Sequence, residues 1–440
     1  MSTFRKQHMS IEWHEIVESE DTTPAINASL KEKATLIGRL GLMMLSVGTG
    51  AWRVRASMNK LARALNITCA VDVGLLSIEY TCIENGETYT NALSVNTTGV
   101  NTDRLNSLEI FADGFHERAH RYSVEQFHRI LDKFQEMPCN YKAWQLGLAA
   151  AFACCAFTFL LGGGPAEMIC AFFGAGIGNF IRKKLLENHI TLFANVTVGV
   201  ASACCVYVLL IKLAEILLNI SNIHQAGYIC SMLFVIPGFP LITGGLDLAK
   251  LDLRSGIERI TYALLIIIVA TLTGWITAFI FNFQPSEFAE ISLDPALMLV
   301  LRLITSFCGV YGFSLMFNST KKMACTAGII GMLVNTLRLE LIDFTSIPVG
   351  AAAFIGALCS GLLASALKKK IGFPRITLTV PSIVIMVPGM FMYKGIYYMA
   401  LNDIQSGALW ITKALLIVIS LPLGLIFARI FTDKNFRKSS

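Results

Sequence analysis

The sequence predicts a polytopic α-helical membrane protein: ten transmembrane helices arranged as an inverted repeat of five plus five, with an N-terminal cytoplasmic α+β domain. Three observations lead there. The 440 residues are 54 % hydrophobic and only 15 % charged, too apolar for an ordinary soluble chain. Charge is uneven, with 14 Lys/Arg and 17 Asp/Glu in residues 1–140 against 22 and 13 in all the rest. Two apolar runs, VIPGFPLITGG at 235–245 and MVPGMFMYKGI at 386–396, are interrupted by the same pattern of Pro-Gly, five residues, then Gly.

Residues 1–30 are polar and are expected to form a flexible tail, and the opening MSTFRKQHMSIEWHEIVESE has neither the basic start nor the apolar stretch of a signal peptide. The domain at 31–140 is therefore expected to stay in the cytoplasm. Its most apolar stretch, GLMMLSVGTGA at 41–51, lies between Arg39 and Arg53 and falls short of the roughly 20 residues a span needs. It reads as a buried helix within a helical pattern that continues to about Leu65. The alternating LLSIEYTCIENGETYTNALSV gives two strands around an Asn85-Gly86 hairpin turn. Helices are expected near 102–120 and 123–136, the second opened by a capping box of Ser123 and Gln126.

Ten apolar runs follow, near 143–163, 166–181, 190–213, 226–246, 259–281, 295–317, 323–341, 347–367, 377–399 and 407–430. They divide into modules at 141–285 and 290–432, leaving a tail at 433–440. With the amino terminus inside, the inner loops collect Lys142, Arg182 to Lys184, Lys250, Arg254, Arg259, Lys321, Lys322, Lys368 to Lys370 and Arg375, and the tail adds further cations. The outer loops hold Glu287, Glu290, Asp294, Asp343 and Asp403 instead, as the positive-inside rule requires. Both termini are then cytoplasmic, and the net charge of +6 reflects orientation rather than nucleic-acid binding. The twelve cysteines, including the adjacent pairs Cys154-Cys155 and Cys204-Cys205 inside apolar runs, suggest neither disulfides nor metal sites.

The repeated motifs occupy the fourth and ninth runs, the same place in each set of five. Five is odd, so the second set crosses the membrane upside down relative to the first. Proline removes a backbone donor and glycine adds backbone freedom, so each motif breaks its helix, and the freed polar groups must face protein or a wet cavity. Such paired interruptions mark a transporter's substrate site.

The candidate pathway residues are Pro237, Gly238, Thr243, Gly244 and Asp247 around the first break, and Pro388, Gly389, Tyr393, Lys394 and Gly395 around the second. Glu167, Asn195, Arg302 and Asn335 are polar residues on other runs. Ionisable groups there are functional candidates, with snorkelling as the alternative role, and the neutral ones either bind substrate or hold helices together. Arg302 and Lys394 suit a carboxylate, hence an organic acid or an amino acid. One rival comes from another class: His116, Glu117 and His120 in HERAH have the spacing of a zinc-hydrolase helix, although Arg121 and a capping box follow at once. A channel is a further alternative. No nucleotide or other cofactor is implied, since no G-x-x-x-x-G-K-[ST] loop occurs. The GAGIG stretch at 174–178 allows close helix packing, within one chain or in a homo-oligomer.

Five stretches together resemble the threonine/serine exporter family: LSVGTGAWRVRASMNKLARALNI, GVNTDRLNSL, FFGAGIGNFIRKKL, VIPGFPLITGGLDLAKLDLRSGIERI and VPSIVIMVPGMFMYKGIYYMALND. The resemblance covers the chain from about residue 35. It implies a cytoplasmic domain fused to two five-helix modules, in a bacterial inner (plasma) membrane exporter of threonine and serine driven by protons. Two-protein relatives imply succinate, a C4-dicarboxylate, as the alternative substrate. The motif positions Pro237, Gly238, Gly244, Asp247, Pro388, Gly389, Tyr393 and Gly395 are carried over. The hairpin departs from the family pattern with Thr90-Asn91 where Thr-Arg is expected, so no arginine role is carried there.

Overall fold

The computed structural model describes residues 11–218, 222–283, 288, 293–434 and 436–437. They form two compact units. One extends to Pro138 and also takes in Lys250–Glu258, and the other runs over Cys139–Ala249 and from Arg259 onward. Nine residues of the expected first membrane module thus cluster with the N-terminal unit.

In the first unit, helix α1 (Leu30–Ser46) opens with a capping box in which Ser29 and Glu32 satisfy each other's backbone N–H. Glu32 also accepts the Glu18 and Ser19 N–H groups at 2.8 and 2.7 Å. Burial alone would raise its pKa, but the Ser19 and Ser29 hydrogen bonds bring it down to about 2. The helical pattern does not continue to Leu65. It stops at Ser46, because Gly48 turns the chain at φ +83° and its Cα lies so close to the Gly99 carbonyl that a Cβ would come within 2.6 Å. Helix α2 (Ala51–Ala64) then starts afresh.

Strands β1 (Thr68–Val73), β2 (Ser77–Glu84) and β3 (Glu87–Ser94) form an antiparallel sheet in sequence order. The hairpin falls at Asn85-Gly86 as expected, with φ of 52° and 86°. Strand β1 was outside the expected pair. The helix expected over 102–120 divides at Gly114 into α3 (Thr102–Asp113) and the four-residue α4 (Phe115–Arg118), and α5 (Val124–Gln135) opens with the Ser123 and Gln126 capping box. Leu36, Leu40, Met58, Ile78, Phe111 and Phe127 lie in the core.

Two ionic features order this unit's surface. The short 3-10 turn Trp13–Ile16 places His14 Nδ1 2.8 Å from Glu125 and Nε2 2.9 Å from Asp132, which is also bonded by Arg39. A neutral imidazole has one N–H, so two carboxylates are satisfied only by the protonated ring. The Glu125 hydrogen bond raises the His14 pKa, with Asp132 adding to it and burial opposing. Beside it His128 is held neutral, pushed down to about 3 by burial and then by Arg39. Second, Lys250–Glu258 is pinned within this unit. Arg254 pairs with Asp72 and Glu79, Asp252 with Arg55 at 2.6 Å, and Glu258 accepts the Leu75 N–H.

The second unit consists of α6 (Ala143–Leu160), α7 (Pro165–Glu187), α8 (Leu192–Leu218), a 3-10 stretch (Asn222–Val235), α9 (Gly238–Ala249) and α10 (Leu253–Ile280), the last from Arg259 onward. It continues with α11 (Pro295–Met316), α12 (Lys321–Phe344), α13 (Val349–Ile371), α14 (Arg375–Val384), α15 (Gly389–Ala400) and α16 (Ile404–Thr432). Among the described residues, seven helices are long and apolar enough to cross a membrane. Two bent pairs raise the number to nine if each is one span: Gly227–Val235 with Gly238–Ala249 at 61°, and Arg375–Val384 with Gly389–Ala400 at 50°. The run expected at 166–181 is the 23-residue α7, which is not in that group. The unit is mostly helical, and the molecule is a polytopic membrane protein.

Candidate functional site

The two Pro-Gly motifs are the two bends. Each is built in the same way, because Pro cannot donate and the chain must find other partners for the freed groups. Gly238 N–H bonds the Ile236 carbonyl at 2.8 Å, and Gly389 N–H bonds that of Val387 at 2.8 Å. Leu241 and Met392 then restart the helices by donating to Pro237 and Pro388 at 3.2 and 3.0 Å. Just before the bends, the buried Ser231 and Ser382 hydroxyls donate to the carbonyls three residues earlier, Tyr228 at 2.6 Å and Thr379 at 2.8 Å. One fixed offset in residue number relates every one of these pairs.

The motifs also seat against each other. A Cβ on Gly238 would come 2.6 Å from Val384 and 3.2 Å from Val387 of the second motif. A Cβ on Gly389 would come 3.1 Å from both Leu233 and Ile236 of the first. Each glycine therefore receives the residues two and five places ahead of the other. Between them lies a cavity of about 20 Å³, lined by Leu233, Ile236 and Gly238 from one motif and Val384, Val387 and Gly389 from the other. Phe157 of α6 and Phe313 of α11 complete it.

Away from the cavity, the buried Tyr228 and Tyr393 hydroxyls bond one another across the two broken spans. Their rings meet edge to face at 6.0 Å, and Tyr397 stacks on Tyr393. Close by, the side chain of Glu167, in the first turn of α7, and the Tyr207 hydroxyl crowd the Cα of Gly227, the neighbour of Tyr228. Glu167 is buried, 2 % exposed.

The other candidates differ by charge and role. Asp247, near the end of α9, is fully buried and pairs with the buried Arg259 at 3.2 Å. Thr243, Asn195 and Asn335 bind protein groups: the Thr243 hydroxyl donates to Phe239 O at 3.0 Å, Asn195 to Arg182 O at 3.0 Å, and Asn335 to the Ser306 hydroxyl at 2.9 Å. Gly244 is buried in α9, and Gly395 lets α16 approach, since a Cβ there would lie 2.5 Å from Ile411. Arg302 does not join the bends but pairs with Glu340 at 2.8 Å and with Asp343, all on α11 and α12. Lys394 sits 4.7 Å from the centre of the Trp410 ring, and Lys413 shares that ring at 4.9 Å.

Sequence reasoning missed Tyr228, Tyr207, Arg259 and Asn179. The last donates to Leu146 O at 2.7 Å, tying α7 to α6 as Asn335 ties α12 to α11. The offset that carries Phe157 to Phe313 also carries Asn179 to Asn335, a signal legible in the sequence. His116 and His120 are both exposed, with ring centres 6.1 Å apart, and α4 ends at Arg118 between them. Among the described residues no group of three or more His, Cys, Asp or Glu is placed to hold a metal.

Residues 35–282 match a family described as putative threonine/serine exporter, and residues 302–431 match a second threonine/serine exporter family. The chain is 24 % identical over 244 residues to the probable succinate transporter subunit YjjP of Escherichia coli, covering 53 % of this chain and 91 % of that one. The Klebsiella aerogenes protein of the same description is 25 % identical, covering 53 % of this chain and 90 % of its own. A probable threonine/serine exporter of Mycobacterium tuberculosis is 22 % identical over 84 % of this chain and 70 % of its own length. No solved structure matches. With two apolar spans broken at matched motifs and a family match over more than half its length, the chain belongs to the threonine/serine exporter family of membrane transporters.

Proposed function

We propose that the protein exports threonine or serine across the plasma membrane by proton-coupled alternating access. Its ten spans form an inverted 5+5 repeat with both termini and the residue 31–140 domain in the cytoplasm. The observation that carries this reading is the reciprocal seating of Gly238 and Gly389, each against the other motif. Two equivalent breaks in contact form a joint about which one module can move against the other, exposing the cavity to each side in turn. The Tyr228 and Tyr393 bond lies on one side of that joint and would have to part when that side opens. The candidate pathway residues are those of the two motifs together with Glu167. Glu167 and Asp247 are the carboxylates for proton coupling, with Glu167 to be tested first because neutralising Asp247 would strand Arg259.

A C4-dicarboxylate such as succinate is the second reading, favoured by the YjjP descriptions. Those relatives match about half of this chain, whereas the threonine/serine exporter relative spans most of it, and so the amino acid is preferred. The test is counterflow in proteoliposomes. Unlabelled threonine, serine or succinate is loaded inside, and uptake of the matching labelled solute is followed. Transient accumulation of threonine or serine supports the proposal, accumulation of succinate alone replaces the substrate, and equilibration without overshoot points to a channel. In Glu167→Gln, counterflow should persist while uptake driven by a pH gradient is lost; retention of both would remove Glu167 from the coupling role.

A further inference from the structure

We propose that a hollow between the start of α12 and the end of α13 binds one anionic glycerophospholipid. It is lined by Lys322, Cys325 and Thr326 from α12 and by Lys370, Ile371 and Phe373 from the end of α13 and the turn beyond, and it measures about 680 Å³. Lysines from two different helices line one opening, and the hydroxyl-bearing Thr326 with Cys325, Ile371 and Phe373 forms the rest of its wall. A phosphodiester with an attached glycerol ester matches both features.

The surrounding sequence makes the charge argument stronger. Segments 319–326 and 366–376 contain no Asp or Glu, and they add Lys321, Lys368 and Arg375 to the lining lysines. Basic hollows between membrane helices attract anionic headgroups, at about 1 kcal/mol per cation near the surface. From the hollow an apolar track leads along α12. Cys325 is exposed, and Ile329, Leu333 and Leu337 follow at successive turns with exposures of 46, 48 and 40 %. Twelve residues of helix rise about 18 Å, the length of most of an acyl chain. A soluble anion has no use for that track, so the occupant is a lipid rather than free phosphate or a dicarboxylate. On the orientation proposed above, the hollow faces the cytoplasmic leaflet, where anionic lipids collect.

The experiment uses the full chain purified in a neutral detergent, with bound lipid counted by native mass spectrometry. Phosphatidylglycerol and phosphatidylcholine of identical chains are titrated in turn, and glycerophosphoglycerol without chains and inorganic phosphate serve as competitors. The expected result is a retained phosphatidylglycerol adduct that phosphatidylcholine does not replace. Its apparent affinity should fall roughly tenfold or more in the Lys322→Gln, Lys370→Gln double variant, from two lost cations. Lys413→Gln, beside Trp410, should bind as the parent does, and circular dichroism of each variant excludes misfolding. Equal retention of phosphatidylcholine, unchanged binding in the double variant, or displacement by glycerophosphoglycerol or phosphate at matched concentration would each overturn the proposal.

Discussion

The two broken spans make the same bend from different material. The first enters its break as a 3-10 helix and leaves through α9, which carries the buried Asp247. The second enters as the α-helix α14, with Pro381 inside it, and leaves through α15, with Tyr393, Lys394, Tyr397 and Tyr398. At the join they coincide: the same glycine-to-carbonyl bonds, the same serine hydroxyls, the same seating of each glycine on the other span. The likeness is kept where the spans touch each other and lost on either side of the join. The joint therefore has a shared geometry, while the chemistry at its two ends differs.

The largest test of this contrast is Asp247→Asn. It leaves the Arg259 guanidinium buried without its charge partner, a loss of about 3–5 kcal/mol. Folded yield in detergent should drop sharply, whereas the paired Asp247→Leu, Arg259→Met change should restore most of it. If the single variant folds as well as the parent, the pair is not structural and Asp247 returns to first place for coupling.

Next come the glycines. Gly238→Ala drives a Cβ to 2.6 Å from Val384, while Gly389→Ala meets its neighbours at 3.1 Å. Overpacking of this kind costs about 1–3 kcal/mol, so Gly238→Ala should suppress counterflow the more strongly, and Val384→Ala in the same chain should recover it. Equal effects, or no recovery, would show that the contact is not what matters.

Smaller still, Tyr228→Phe and Tyr393→Phe each remove one partner of the same bond, at about 1 kcal/mol. If that bond closes one side of the joint, both variants should shift accessibility of an engineered cysteine toward that side, and the double variant should shift it no further than either alone.

The smallest effect lies in the other unit. His14 has a raised pKa in the folded chain, so its clamp to Glu125 and Asp132 is fully present below about pH 6.5, the free-histidine value, and is lost as pH rises through the higher folded pKa. Limited proteolysis near residues 11–17 should accelerate over that window, and His14→Gln should abolish the pH dependence. A parent digestion rate that is flat with pH would remove the clamp.

Much of the fold was legible in the sequence, for reasons that differ by element. The breaks were legible because Pro-Gly in the middle of an apolar run leaves a helix short of a backbone donor and free to turn. The Asn85-Gly86 hairpin was legible because both residues accept positive φ. Strand β1 escaped because TCAVDV is short, at six residues, and follows directly on a helical pattern. The division of the first helical pattern depended on Gly48 meeting Gly99, a contact no local pattern announces. Among the candidates, Arg302 looked available only because Glu340 and Asp343 lie a whole helix away in sequence. Tyr228 looked ordinary because its role depends on Tyr393. Residues whose meaning is a partner on another span are those that sequence reasoning places last.

The cavity between the bends bears on how such a protein can sit in an energised membrane. At about 20 Å³, with apolar walls, it has room for about one water molecule and offers that molecule few polar partners. A proton wire needs an unbroken file of hydrogen-bonded waters, and a cavity this small and apolar does not supply one. On the mechanism proposed above, leakage through the resting transporter would be governed by how often the two glycine seats come apart, so that the contact which lets the joint move would also insulate the membrane while it is still.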